Sequence, residues 1–342
     1  MDGASGVQFF AAFNDITPTP EPAQQPALWQ PESTPSNLHL LGKAYVNNLR
    51  KPVQMLRMGG GVLASRRRIS RGIKQGDFRE LGDIPTTCFN GKLSPHRVVG
   101  ATKFDFESVR QIKNLVKGAT INDAVLAIVG GALRRYLSAW EELPEESLVT
   151  GCPVNVRDER EAEAGGNMVG MMSTRLATDI EDPLERLQKV HDEAVNAKAH
   201  LEAQGARMMV DFSENVPAAL QSLLVQISAA AGMAEKNLMM NTMVTNVPGA
   251  PVQLYMCGAK IIDSFGIGPI SPGVGLFHTV NSMVMKDKGT ITVAFICCRD
   301  VMPDPEFYTE CIRASFDELN AVARPPAKPG RSRKQGRKGA AN

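Results

Sequence analysis

Five short motifs place amide, carboxylate or guanidinium side chains beside glycine or at the ends of apolar segments, where they could hydrogen-bond a ligand. Each motif alone is also common at ordinary turns and helix caps, because short polar side chains hydrogen-bond the nearby backbone. Their order and spacing therefore carry more information than any one of them. They are Asp2-Gly3, Asn122-Asp123, Val154-Asn155-Val156-Arg157, Gly166-Asn167 and Thr245-Asn246-Val247-Pro248-Gly249.

The motifs of several common enzyme classes are absent from the sequence. It contains no phosphate-binding Walker loop, no GxGxxG dinucleotide motif, no GxSxG nucleophile turn and no HExxH zinc motif. The six cysteines show neither a CxxC pair nor metal-ligand spacing, so we expect no metal site and thiols that pack as small apolar side chains. Of the histidines, only His278, beside a glycine-rich loop, is a candidate site residue, and a packed histidine without a catalytic role is the alternative.

Asn122 and Asp123 stand at the start of the most apolar helix that the sequence predicts, over residues 118–140. Thr120 is a natural N-cap, and Asp123 follows three residues later, as in a capping box. Nearly every residue from 124 to 133 is apolar, which is typical of a helix buried on all sides. The two polar residues therefore either only cap this helix or lie at the floor of a ligand channel.

The length and the charge distribution of the chain limit which class of protein it can be. A chain of 342 residues can form two domains with a substantial core. The formal net charge is +2, but residues 324–342 hold seven Lys or Arg and no acid, so the body of the chain is mildly acidic. We predict that this basic, Pro/Gly-rich tail is disordered. It lacks interleaved aromatic residues, so no nucleic-acid partner is expected.

The hydrophobic pattern predicts a mixed α/β protein. A helix is expected over residues 36–58, ended by Gly59-Gly60-Gly61, and further helices begin at Asp182-Pro183 and Asp304-Pro305. We expect neither a signal peptide nor a transmembrane helix, and hence a cytoplasmic protein. Strands are predicted over residues 97–104, 148–156, 168–177, 241–247, 252–257 and 260–265, with a hairpin of residues 279–285 and 290–297.

In this order and spacing, the motifs resemble the bacterial wax ester synthase/acyl-CoA:diacylglycerol acyltransferase (WS/DGAT) family. This family is a branch of the HxxxD CoA-dependent acyltransferase superfamily. The resemblance extends to about Ala323 and is strongest in three blocks. These are NDAVLAIVGGALRRYL, PVNVR followed by GGNMVG, and TNVPG followed by GIGPISPGVGL and CRDVMPD.

The resemblance implies how the catalytic motif works. The signature of the family is HHxxxDG, in which the second histidine is the general base that deprotonates the acceptor alcohol. Met1-Asp2-Gly3 aligns with its last three positions, so the sequence as written begins inside the signature, without the two histidines. Asp2 would hold the turn by forming a salt bridge with Arg157, and Gly3 would permit the tight backbone. The alternative for Arg157 is an arginine in a loop that faces solvent. The substrate channel would be lined by Asn122, Asp123, Asn155, Asn167, Asn246 and Gly249.

The resemblance also implies a fold. It is the α/β, two-domain sandwich of CoA-dependent acyltransferases of the chloramphenicol acetyltransferase type, in which two mixed sheets flank a channel. Residues 1–85 would be the remnant of an incomplete N-terminal domain plus a crossover linker. Residues 86–323 would form the C-terminal domain, and residues 324–342 the basic tail.

The implied reaction is O-acyl transfer from a long-chain acyl-CoA to diacylglycerol or a long-chain alcohol, which makes triacylglycerol or wax ester. Acyl-CoA is then a co-substrate, and no bound cofactor is expected. The basic residues around Arg66 and the apolar helix over residues 216–233 are candidates for contact with a membrane or lipid-droplet surface. Two alternatives stay open: a catalytically inactive fragment or paralogue that binds acyl-CoA or lipid, and a condensation-type acyltransferase that uses a carrier-protein thioester.

Overall fold

A six-stranded mixed sheet organises the part of the chain that the structure describes. The computed structural model describes residues 6, 10, 12–19, 30, 33–156, 169–205, 216, 218–232, 238–250, 252–285 and 288–324. The strands of the sheet are β1 (Arg97–Asp105), β2 (Val149–Asn155), β3 (Val169–Arg175), β4 (Thr242–Val247), β7 (Leu276–Met285) and β8 (Lys288–Cys298). A two-stranded ribbon consists of β5 (Tyr255–Met256) and β6 (Ala259–Lys260).

The order of the sheet is β1-β8-β7-β4-β2-β3, with β4 parallel to both β2 and β7 and the other pairs antiparallel. Because β4 lies between two strands that run in its own direction, the carboxyl ends of β2, β4 and β7 meet at one edge. Backbone hydrogen bonds in both directions join Asp15 to Tyr255, so part of the N-terminal segment lies against the ribbon.

The helices are α1 (Asn37–Gln75), α2 (Phe106–Lys113), α3 (Ile121–Ala139), α4 (Pro183–Gln204), α5 (Ala218–Ala230) and α6 (Pro305–Ala323). The apolar helix α3 packs against α4 and α6, and its residues from Asp123 to Leu133 are all buried. A Cβ at Gly131 would collide with Ser315 of α6, and a Cβ at Gly130 would collide with the carbonyl of Leu176 just after β3, so both glycines let neighbouring segments approach α3 closely. The sequence-based interpretation of α3 as a helix surrounded by protein is confirmed.

Side chains alternate between the two faces of the sheet, as pleated strands require. On β7, His278 and Val280 are buried on the face that packs against the helices, whereas Phe277 and Thr279 lie on the other face. One face of the sheet therefore belongs to the core, and the other is available for a cavity.

Most predicted elements are confirmed within a few residues, but two predictions are wrong. Gly59-Gly60-Gly61 does not end a helix, since α1 runs from Asn37 to Gln75 and ends at Gly76 in a left-handed conformation. Glycine lowers helix propensity by about 1 kcal/mol per residue but keeps its N–H, so the hydrogen-bond ladder can continue. The strands predicted over 252–257 and 260–265 shrink to the two-residue strands of the ribbon.

Candidate functional site

An apolar cavity of about 800 Å³ lies on the face of the sheet opposite the helical layer. Met243, Thr245 and Val247 of β4 face it, beside Phe277, Thr279 and Asn281 of β7. Pro153 of β2 and Met171 of β3 extend the floor, and the segment 264–269, here called the wall loop, forms one side. Phe10 of the N-terminal segment also lines the cavity.

Polar side chains interrupt the apolar floor of the cavity part of the way along the strands. The parallel register pairs Met243 with Phe277, then Thr245 with Thr279, then Val247 with Asn281. The floor is thus thioether and aromatic at Met243 and Phe277, carries hydroxyl and amide groups at the next positions of β7, and is apolar again at Val247 and Met283. An elongated apolar ligand with one polar group along its length matches this pattern.

The predicted site residue Gly249 lies in the cavity lining, at the turn after β4. Its N–H donates to Oγ of Ser282 over 3.2 Å. A Cβ at position 249 would collide with the carbonyl oxygen of Ser282, so no other residue fits there without a shift of the backbone. This close approach holds the turn against β7 in the wall of the cavity.

Glycine also shapes the wall loop. A Cβ at Gly268 would collide with the ring of Phe277, so this loop can lie flat against β7 only because position 268 has no side chain. The N–H of Gly266 donates to Oδ1 of Asn281 over 3.2 Å, and its carbonyl accepts from Oγ1 of Thr279.

Asn155 and Asn246, also predicted site residues, are exposed near this edge of the sheet. Asn155 is the last residue of β2 and lies, by alternation, on the same face as Pro153. Asn246 alternates with Thr245 and Val247 and so lies on the other face of β4. Asp2, Gly3, Arg157 and Asn167 lie outside the described residues, and the proposed pairing of Asp2 with Arg157 stays a prediction.

Asn122 and Asp123 lie at the N-terminus of α3, where the structure shows a capping box. Oγ1 of Thr120 accepts from the N–H of Asp123, and Oδ2 of Asp123 accepts from the N–H of Thr120 over 2.9 Å. The capping prediction is therefore confirmed. Neither residue is among the described residues that line the cavity, and a channel role for them stays a prediction.

Asp123 has a second partner that the sequence did not indicate. Oδ2 of Asp123 lies 2.9 Å from Nδ1 of His191 on α4, and the other oxygen, Oδ1, is buried without a partner in the described part of the chain. His191 also lies against Gly118, whose φ of +89° favours glycine. The two residues are 68 positions apart in the chain, so local spacing gives no signal for this pair.

His278 does not face the cavity. It is fully buried on the helical side of β7, where Nε2 lies 2.7 Å from the hydroxyl of Tyr308 on α6. The hydroxyl of Thr242 donates to the carbonyl of Leu276, so Thr242 can only accept from Nδ1 of His278. Nδ1 therefore carries the proton, and Nε2 accepts from Tyr308. Burial lowers the pKa of His278 to about 4, and this histidine is a neutral packing residue.

The cysteines are mostly apolar packing residues, as predicted. Cys152, Cys297, Cys298 and Cys311 are buried, but Cys257 is exposed in the turn of the ribbon, which corrects the prediction for that residue. Burial raises the pKa of Cys152 to about 12, so its thiol stays protonated. Among the described residues, no three His, Cys, Asp or Glu side chains are arranged to hold a metal ion.

Comparisons with known proteins place the chain in a family. Residues 1–125 match the model of the wax ester synthase/diacylglycerol acyltransferase catalytic domain, and residues 165–320 match that of the WS/DGAT C-terminal domain. The two matches cover most of the chain with domains of one kind of acyltransferase. The chain therefore belongs to the wax ester synthase/diacylglycerol acyltransferase family.

Two relatives from Mycobacterium tuberculosis carry the name of diacylglycerol O-acyltransferases. MT1809 of strain CDC 1551 is 29% identical over 331 residues, which are 93% of this chain and 63% of the relative. Rv1760 of strain H37Rv is 32% identical over 246 residues, which are 68% of this chain and 47% of the relative. The chain thus spans between about half and just under two thirds of the length of these relatives.

A solved structure confirms the predicted fold class. The wax ester synthase/diacylglycerol acyltransferase from Marinobacter aquaeolei VT8 matches with a TM-score of 0.61 and 22% identity, over 94% of this chain and 66% of that one. At this identity the match shows the fold, which is the two-domain α/β fold of the family. Within the described residues, no helix combines the length and the hydropathy that crossing a bilayer requires.

Proposed function

We propose that the protein transfers a long-chain acyl group from acyl-CoA to diacylglycerol or a long-chain alcohol. The observation that carries this proposal is the apolar cavity on the open face of the sheet, with the polar side chains Thr279 and Asn281 in its floor. Family membership supplies the reaction class, and the cavity supplies a place for an acyl chain.

In this reaction the alcohol oxygen attacks the thioester carbonyl carbon, a C–O bond forms, and the C–S bond breaks. A general base takes the alcohol proton, which ends on the leaving thiolate and gives free CoA. None of the five histidines lines the cavity in the described part of the chain, and His278 is neutral and faces the helices. The family signature assigns the general base to the second of its two histidines.

The proposed site of contact with lipid is helix α1. It contains nine Lys or Arg and no Asp or Glu. Apolar side chains three, four or seven residues apart form a stripe along it, each more than half exposed. A basic helix with such a stripe can lie on an anionic lipid surface. Exposed apolar residues of α5, such as Val225 and Ile227, would add to the contact. The stripe consists of Leu38, Leu41, Tyr45, Leu49, Leu56 and Leu63.

The proposed function is tested with radiolabelled long-chain acyl-CoA and either diacylglycerol or a long-chain alcohol. We expect labelled triacylglycerol or wax ester together with stoichiometric free CoA. Saturable acyl-CoA binding without any ester product would instead support a non-catalytic lipid-binding protein. Reaction with an acyl carrier-protein thioester in preference to acyl-CoA would support the condensation-type alternative.

A further inference from the structure

Asn281 of β7 contacts the wall loop with one side of its amide and faces the cavity with the other. The partner of its Oδ1 is the N–H of Gly266, at 3.2 Å. Because a backbone N–H can only donate, the oxygen of the amide must be the atom on this side. The orientation of Asn281 is thereby determined, and Nδ2, with its two N–H groups, points away from the wall loop.

Nδ2 of Asn281 has no hydrogen-bond partner among the described residues, and it is not among the buried polar atoms that lack a partner, so it has exposed surface. Because Asn281 lines the cavity, this exposed donor is within reach of a ligand held there. The hydroxyl of Thr279, two residues earlier on the same face, already donates to the carbonyl of Gly266. Asn281 is the sole side-chain amide in the described lining of the cavity.

The described lining contains no Lys, Arg, Asp, Glu or His. A ligand carboxylate buried there would find no positively charged partner, and burying an unpaired charge costs free energy. An uncharged carbonyl needs only a hydrogen-bond donor. The polar group that fits beside Nδ2 is therefore a neutral acceptor. The apolar side chains Met243 and Phe277, farther along the floor, fit the chain attached to it.

We propose that Asn281 is a positioning residue whose Nδ2–H donates to the carbonyl oxygen of an uncharged acyl ester or thioester, while its Oδ1 holds the wall loop. The proposal rests on the proposed function and deepens it, because it selects esters over free fatty acids. The amide of Asn281 thus joins the ligand carbonyl on one side to the N–H of Gly266 on the other.

The test compares two ligands that displace Nile red from the purified protein: methyl laurate and the alkane of equal chain length. Asn281→Asp keeps an acceptor for Gly266 and replaces the donor by a charged oxygen. We expect this variant to lose about two- to tenfold more affinity for the ester than for the alkane, as expected for the loss of one hydrogen bond. Laurate at neutral pH should bind more weakly than its methyl ester to the unmodified protein.

The control is Asn114→Asp, the same change at an exposed position outside the cavity lining, which should alter neither affinity. Equal losses for ester and alkane in Asn281→Asp would contradict the proposal, because they would show a role for Asn281 in the wall alone. If neither ligand displaces the dye from the unmodified protein, the proposal that the cavity binds an acyl chain is wrong, and this inference is wrong as well.

A second measurement does not depend on the folding of a variant. Isotope-edited infrared spectroscopy of carbonyl-labelled methyl laurate reports hydrogen bonding to its carbonyl directly. Bound to the unmodified protein, the carbonyl band should shift to lower frequency than in an alkane solvent. An unshifted band would overturn the proposal.

Discussion

The carbonyl oxygen of Ser282 occupies the space that a Cβ at Gly249 would need, and the N–H of Gly249 donates to Oγ of the same serine. The turn after β4 is thus held against β7 in the wall of the cavity. The sequence predicts Gly249 as a site residue, and the structure gives a steric reason for glycine at this position.

Replacing Gly249 by alanine should force β4 and β7 apart at this turn. We expect Gly249→Ala to lower the free energy of unfolding by about 1–3 kcal/mol, the usual cost of overpacking, and to weaken binding of methyl laurate. Urea unfolding and dye displacement measure the two effects. Gly61→Ala is the control, because nothing lies within 4 Å of a Cβ at position 61 of helix α1. It should stabilise by up to about 1 kcal/mol, and a similar gain for Gly249→Ala would contradict the steric account.

His278 should make stability depend on pH. Its pKa is about 4 in the folded protein, because burial disfavours the charged form, and about 6.5 when unfolded. Between these values the unfolded state binds more protons, so acidification from pH 6.5 toward pH 4 should remove up to about 3 kcal/mol of stability. Urea unfolding at several pH values should show a shallower decline for His278→Gln than for the unmodified protein. The exposed His96 is the control site, since His96→Gln should leave the slope unchanged.

The hydroxyl of Tyr308 should contribute to the stability of the fold, because it donates a hydrogen bond to Nε2 of His278. Tyr308→Phe leaves a buried acceptor without its partner, and we expect a loss of about 1–3 kcal/mol in the free energy of unfolding. In the His278→Gln background the same change should cost a different amount, because the two side chains are coupled. Additive losses in this double-mutant cycle, followed by urea unfolding, would show that the hydrogen bond contributes nothing.

Asp123 should matter for stability through the cap of α3 and through His191. Asp123→Ala removes the acceptor for the N–H of Thr120 and for Nδ1 of His191, and we expect a loss of about 1–3 kcal/mol. Asn122→Ala, at the neighbouring half-buried position, should cost less than about 0.5 kcal/mol. If both changes spare stability but lower turnover in the assay of acyl transfer, the two residues act in the channel instead.

The basic residues of α1 should determine binding to anionic lipid. Each cation near such a surface contributes about 1 kcal/mol, so Arg66→Gln, Arg67→Gln and Arg71→Gln together should weaken sedimentation with phosphatidylglycerol vesicles by tenfold or more. Added salt should weaken binding of the unmodified protein as well. The matched control changes three exposed cations outside α1, Lys92, Lys117 and Arg299, to glutamine. An equal loss in the control would indicate a general charge effect and not a lipid-binding helix.

Local patterns predicted the elements well because the physical causes are local. The N-cap Thr120, the Asp182-Pro183 start of α4 and the alternation along β7 and β8 all act within a few residues. The cavity was less predictable. Gly249 came from a motif, but Asn281 and Met171 are ordinary strand residues whose roles depend on which strands pair.

Long-range packing also explains what the sequence did not show. Asp123 meets His191 only because α3 and α4 pack side by side, and His278 faces Tyr308 only because of its register on β7. Helix α1 continues through its three consecutive glycines. The low helix propensity of glycine predicts a break there, and local sequence does not show when the flanking helical residues outweigh that propensity. Partners far apart in the chain leave no trace in local periodicity.

The most direct test of the central claim is to map where an acyl chain binds. The protein is photolabelled with a long-chain acyl ester that carries a diazirine on its tail, and modified peptides are identified by mass spectrometry. The account predicts saturable labelling on β4, β7 and the wall loop, near Met243, Phe277 and Gly268, that unlabelled ester suppresses. Saturable labelling confined to the helices α3, α4 and α6, on the opposite face of the sheet, would contradict it.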